Sequence, residues 1–158
     1  MTGYKSYLSG LNFEQMVEDT LKRENISYLR LPKTGGDVRV INRKKVFVGK
    51  KICFDFITSV GHKGICFDTK STKKDRMSRS YFFHEDRVHQ LKSMLELSLP
   101  CGFVVFFVYL NKVIYFHKDL INNLKPNSSL KPEEGHYLGN SDLFSIKEVF
   151  KLERCLWS

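Results

Sequence analysis

Asp55, Asp68 and Lys70 are the residues whose types and spacing could do chemistry. Asp68-Thr69-Lys70 reads as the end of a strand, where alternation puts the Asp68 and Lys70 side chains on one face. Asp55 reads as part of the preceding central strand. Two carboxylates converging on one point make a hard-oxygen site suited to Mg²⁺ or Mn²⁺, and a lysine beside them can hold a hydroxide or a developing charge on phosphorus. Phosphodiester hydrolysis needs this inventory. Glu14 offers a third carboxylate from a helix, able to serve a second metal or a metal-bound water, although in isolation it is more simply a solvated glutamate. The D-x-K pattern alone is weak, because basic proteins contain it by chance.

The surrounding elements must position these groups. Leu11, Phe13, Met16, Val17, Leu21 and Ile26 recur roughly at helical spacing, which predicts one amphipathic helix over 11–26. Residues 33–51 alternate around the polar stretch Asn42 to Lys45 and predict a basic β-hairpin. Ile52 to Val60 and Gly64 to Lys70, separated by Gly61-His62-Lys63, predict a second hairpin. Glu85 to Leu97 places Val88, Leu91, Met94 and Leu95 on one helical face, with Pro100 and Gly102 beyond its end. Phe103 to Leu110 is almost continuously apolar, as a strand buried on both faces would be. Asn111-Lys112 then turns the chain into an expected edge strand, Val113 to His117. A polar stretch follows from Asn122 to Asn140, and Ser145 to Leu152 predicts a short closing helix.

Other conspicuous residues have plainer explanations. The four cysteines, Cys53, Cys66, Cys101 and Cys155, form no CxxC pair and read as reduced thiols, three of them within apolar stretches. The five histidines make no zinc pattern. Phe82, Phe83, Phe103, Phe106 and Phe107 could stack on bases, but their density beside Val and Leu is what a core requires.

The chain has 158 residues, 42% of them hydrophobic, which suits one compact domain over 1–158. Its longest apolar run, Cys101 to Leu110, is too short to cross a bilayer, and the polar start lacks the pattern of a signal peptide. A cytoplasmic protein without a membrane partner is expected. The formal charge of +9 is unevenly placed: residues 1–79 hold 17 Lys+Arg against 8 Asp+Glu, and residues 80–158 hold 9 against 9. Such asymmetry suits a polyanionic partner, since each cation that neutralises a phosphate releases condensed counterions. A merely solvated basic surface explains the charge alone equally well.

Several separated segments carry a resemblance to a known family. Gly10-Leu11-Asn12-Phe13-Glu14 is similar to a helix opening, Asp55 and Gly64 to Thr72 to a catalytic hairpin, and Phe83-His84, His89-Gln90-Leu91 and Cys101 to Val105 to a helix feeding a hydrophobic strand. In order and spacing this resembles the RecU Holliday-junction resolvases, within the PD-(D/E)xK nuclease superfamily. The resemblance implies an α/β, restriction-endonuclease-like core with a mixed central β-sheet flanked by helices and a projecting basic hairpin over 33–51. It implies catalytic roles for Glu14, Asp55, Asp68 and Lys70, support from Thr72 and Gln90, and Mg²⁺ or Mn²⁺ held by Asp55, Asp68 and Thr69. Expected phosphate contacts are Lys33, Arg39, Arg43, Lys44 and Lys45 on the hairpin, with Lys73, Lys74 and Arg76 after the catalytic strand. A homodimer acting on branched, four-way DNA is also implied.

The match departs from the family pattern in three places: Asp68 replaces a usual glutamate, Phe54 a small polar residue, and the 33–51 segment is shorter than the family's stalk. An aspartate is one methylene shorter, so a metal would sit nearer the strand or accept a water bridge. The expected activity is metal-dependent, structure-specific DNA cleavage that resolves four-way junctions by paired hydrolysis. The alternatives are a restriction-like or nicking endonuclease on duplex DNA, which a comparison of junction and linear substrates separates, and a non-catalytic basic nucleic-acid-binding module.

Overall fold

The computed structural model describes residues 2–31, 35–50, 54–85 and 87–154, with side chains for 12–31, 42–43, 54–85 and 87–153. The chain opens with α1 (Thr2–Arg23), which starts well before the expected Leu11. Asn25 then takes a left-handed φ of 56°, and the Ile26 N–H returns to the Leu21 carbonyl at 3.0 Å. Together these close the helix. A short strand that periodicity did not disclose, β1 (Ser27–Arg30), follows.

The basic segment forms the expected hairpin, β2 (Gly35–Ile41) and β3 (Lys44–Lys50), paired antiparallel as a separate two-stranded sheet. Asn42 and Arg43 make its turn with φ of 51° and 63°, the backbone twist that two-residue hairpin turns favour. The second hairpin joins β4 (Phe56–Val60) and β5 (Lys63–Thr72), with Gly61 at φ 61° in the turn.

After β5 come β6 (Met77–Ser78), α2 (Arg79–Phe83) and α3 (Val88–Glu96). They make the crossover that a parallel neighbour requires, and β7 (Cys101–Phe107) pairs parallel with β5, setting Asp68 beside Phe103. A single 3-10 turn over Val108–Leu110 leads into β8 (Lys112–His117), then α4 (Lys118–Asn122) and β9 (Ser129–Leu130), the last pairing with β6. Finally β10 (His136–Asn140), β11 (Leu143–Phe144) and α5 (Lys147–Arg154) complete the described chain.

The main sheet is mixed, in the order β1-β4-β5-β7-β8-β10-β11. β8 is therefore not the edge strand expected of it, because β10, from the polar stretch that follows, pairs with its outer side. Helices cover both faces, and strand alternation sorts the side chains between them. Ile65, Phe67, Val104, Val113 and Tyr115 pack with Phe13, Val17 and Leu21 of α1 and Val149 and Phe150 of α5. Cys66, Phe103, Val105, Ile114 and Phe116 pack on the opposite face with Phe82, Leu91, Met94 and Ile121. Cys66 and Cys101 are buried free thiols, as expected of core cysteines, whereas Cys53 and Cys155 lie outside the described residues. Phe82, Phe103 and Phe107 are buried in the core, and Phe83 and Phe106 pack against it. No helix among the described residues is long and apolar enough to cross a membrane.

Candidate active site

Alternation along β5 assigns Asp68 to the face that Cys66 occupies, where its neighbours are apolar. It is only 3% exposed. Burying a carboxylate there opposes folding unless something compensates it, so its presence marks a function that packing does not require. As the spacing predicts, Lys70 shares that face: its Nζ stands 2.7 Å from Asp68 Oδ2. This is a contact of charges rather than an aligned hydrogen bond, and Asp68 Oδ2 has no hydrogen-bond partner.

Asp55 lies just before β4 instead of within it, a correction to the expected placement. The backbone still registers it, through Asp55 N–H to the Phe67 carbonyl at 3.1 Å. Its Oδ2 accepts from the Thr69 amide at 2.9 Å and from the Thr69 hydroxyl at 2.6 Å. Thr69, expected to bind metal, thus orients Asp55 through its N–H and hydroxyl.

Burial pushes the Asp68 carboxyl up to about 7. The Lys70 ammonium pulls the other way, and the Asp55 carboxylate beside it adds to the rise. Lys70 feels the converse field: its own desolvation is outweighed by Asp68, Tyr81 and Asp55, so its ammonium is held more firmly than usual. The asymmetry is physical, since the lysine faces two carboxylates while Asp68 faces one cation and one anion.

Gln90 of α3, expected in a supporting role, does reach the site: its Oε1 accepts from Lys70 Nζ at 3.2 Å. Sequence reasoning missed Tyr81 and Arg87. The Tyr81 ring centroid lies 5.9 Å from Lys70 Nζ, and the Arg87 guanidinium covers the same ring at 4.0 Å while donating to the Tyr81 carbonyl at 3.2 Å. Tyr81 sits in an aromatic run that reads as core, and only its place beside Lys70 distinguishes it.

Two expected residues take other partners. Glu14 is buried on α1, the helix of the opposite sheet face, and its Oε2 accepts from Arg30 Nη2 at 3.0 Å. Arg30 also binds Glu18 Oε2 at 2.7 Å, and the Tyr28 hydroxyl donates to Glu18 Oε1 at 2.8 Å, which holds Glu18 below the usual carboxylate range. Thr72 Oγ1 accepts from the Lys74 amide at 3.1 Å and so shapes the turn after β5. Among the described residues no three His, Cys, Asp or Glu side chains gather as a metal cluster. A cation would therefore rest on the two aspartates, with water completing its shell.

Of the expected phosphate contacts, Lys73, Lys74 and Arg76 are exposed, Arg76 lying 3.4 Å from Asp75. Arg43 is exposed at the hairpin turn. Lys33 and the side chains of Arg39, Lys44 and Lys45 lie outside the described residues.

The donor set suits a divalent cation of the Mg²⁺ class. Two aspartates supply oxygen ligands, one of them buried, and a cation there would offset the burial that raises the Asp68 carboxyl. Comparison with profiles of known families returns no match, and no curated protein sequence matches. Among solved structures, the Holliday junction resolvase Hjc from Archaeoglobus fulgidus, an archaeal hyperthermophile, superposes with a TM-score of 0.57 at 14% identity, covering 81% of this chain and 95% of that one. At such identity the likeness is one of architecture, and it establishes a mixed α/β, restriction-endonuclease-like fold for this chain.

Proposed function

We propose that this chain is a divalent-metal-dependent endonuclease that cuts four-way DNA junctions, and that within the resolvase-like fold it stands nearest the RecU family. One observation carries the reading: a carboxylate is buried on the apolar face of a central strand, paired at 2.7 Å with a lysine ammonium and beside a second carboxylate. A structural ion pair would not need Asp55 fixed by two bonds from Thr69 at the same point. Hjc is itself a Holliday junction resolvase, which favours branched DNA over a linear duplex. The motif order from Glu14 to the Gly102 strand favours RecU.

In this reading Asp55 and Asp68 hold the cation, which when bound supplies Lewis acidity and a more acidic water. Lys70, kept as an ammonium by the two aspartates and directed by Gln90, faces the charge that develops on the phosphate. A homodimer would bring two such sites to opposed strands. The test is cleavage of a four-way junction and of a linear duplex of the same sequence, with Mg²⁺ and with chelator. Paired, Mg²⁺-dependent incision of the junction that Asp68→Asn abolishes is the expected result. Equal cutting of both substrates would replace the reading with a duplex nuclease, and binding without any cleavage would replace it with a non-catalytic module.

A further inference from the structure

Apart from the aspartates, a cleft of 320 Å³ opens between β6, the start of α2 and the turn before β9, lined by Ser78, Arg79, Ser80, Asn127, Ser128 and Ser129. Its two walls are tied by the β6–β9 ladder, Ser78 facing Ser129, and by the Arg79 N–H bound to the Ser128 carbonyl at 3.0 Å. No carboxylate lines it. Its polar groups are hydroxyls, a side-chain amide and one guanidinium; the Ser128 hydroxyl donates to the Lys125 carbonyl and Ser78 and Ser80 share a bond at 3.0 Å, so the donors left for an anion are one hydroxyl of that pair, Ser129, Asn127 and Arg79.

Arg79 is held in place. Its Cζ lies 3.9 Å from the Phe83 ring centroid, and its Nε donates to the Leu124 carbonyl at 3.0 Å. Stacking and that bond restrict the long side chain, while both terminal nitrogens lack an acceptor among the described residues. A planar guanidinium restricted in this way, lining a cleft whose other walls carry hydroxyls, suits the fork geometry of phosphate oxygens. The same short helix carries Tyr81, which contacts Lys70. The cleft and the contact with Lys70 are thus built on one five-residue helix.

We infer that the cleft is a phosphodiester-binding subsite that grips the DNA backbone away from the scissile bond. The inference rests on the nuclease reading for its ligand, though not for its anion chemistry. Two variants test it in chelator, where binding is separated from cleavage. Asn127→Asp adds a negative charge at an exposed position whose φ of 61° aspartate tolerates, so folding is preserved. Arg79→Gln removes the fork.

Each variant should bind a four-way junction roughly tenfold more weakly, the loss of one charge-assisted contact, and Arg79→Gln should lower the salt slope by about 1. In NMR titrations the Arg79 Nε–H resonance should move with junction DNA at micromolar concentration, and with inorganic phosphate only at far higher concentration. Wild-type affinity and slope in both variants would overturn the subsite, as would an Arg79 shift with phosphate while DNA affinity stays unchanged, since the site would then serve a free anion. Weakened binding in a chain that cleaves no junction would sink the nuclease reading and leave the subsite standing. Normal junction cleavage with unchanged binding in both variants would do the reverse.

Discussion

Asp68 is where ionisation and burial oppose each other most directly, and its behaviour with pH follows. Its folded carboxyl titrates near 7, well above its ordinary 3.8. Between these values the unfolded chain has lost a proton that the metal-free folded protein keeps. Its contribution to stability is therefore fully present below about pH 4 and lost as pH rises to about 7, an amount on the order of 4 kcal/mol at most. Thermal melts at pH 5 and pH 8 should show this decline, Asp68→Asn should largely remove it, and Mg²⁺ should stabilise the wild type more at pH 8 than at pH 5. A wild-type pH dependence identical to that of Asp68→Asn would contradict the assignment. Because proton and cation compete for one carboxylate, the midpoint of the cleavage rate with pH should also fall as Mg²⁺ rises. Lys70→Arg should cleave at least tenfold more slowly in single turnover, since a wide planar cation cannot replace a compact ammonium between Asp68 Oδ2 and Gln90 Oε1. An unchanged rate would reduce Lys70 to a charge-balancing role.

At the scale of elements, β5 and β7 form the frame on which everything else is placed, and close packing keeps them there. A Cβ on Gly102 would come within 2.5 Å of the Phe116 carbonyl and 2.6 Å of the Tyr115 ring. Tyr115 cannot easily yield, because its buried hydroxyl donates to Glu153 Oε1 at 2.7 Å. Gly102→Ala should therefore cost about 1–3 kcal/mol through overpacking, readable as a lower urea midpoint, and a variant as stable as the wild type would show that the strands can separate. Elements with strong periodicity were legible in the sequence: the two hairpins, α3 and the apolar β7 all fall within a few residues of expectation. Those that stayed hidden lack a pattern for physical reasons. β1 is four residues in which Leu29 faces out and Arg30 inward, and β10 carries exposed His136 and Tyr137, so in neither does apolar character follow the alternation. The pairing of Asp68 with Lys70 was legible because alternation alone decides it. Glu14's partnership with Arg30 and Tyr81's place beneath Lys70 were not, since both depend on how helices lie across the sheet.

Charge acts over the whole molecule, and its unevenness points to one region. The excess of cations lies in residues 1–79, and residues 30–51 carry Arg30, Lys33, Arg39, Arg43, Lys44, Lys45, Lys50 and Lys51 against the single acid Asp37. Arg30 is accounted for, bound to Glu14 and Glu18. The rest belong to or flank the β2–β3 hairpin, which among the described residues forms a separate two-stranded sheet. Arg43 is exposed at the turn and Lys44 and Lys45 open β3, so the three charges can be removed together with a melt to follow folding. If they meet backbone phosphates of branched DNA, the variant Arg43→Asn, Lys44→Ala, Lys45→Ala should bind a junction more weakly. Its slope of log affinity against log salt should be lower by up to about 3, one for each phosphate released. Asparagine is chosen at position 43 because the turn needs a positive φ there, which asparagine accepts at low cost. Affinity measured across a salt series, with a circular-dichroism melt as control, decides the matter. A slope and melt both equal to the wild type would make the hairpin's charge a solvated face and move the expected path of the DNA toward Lys73, Lys74 and Arg76, the exposed cations that follow β5.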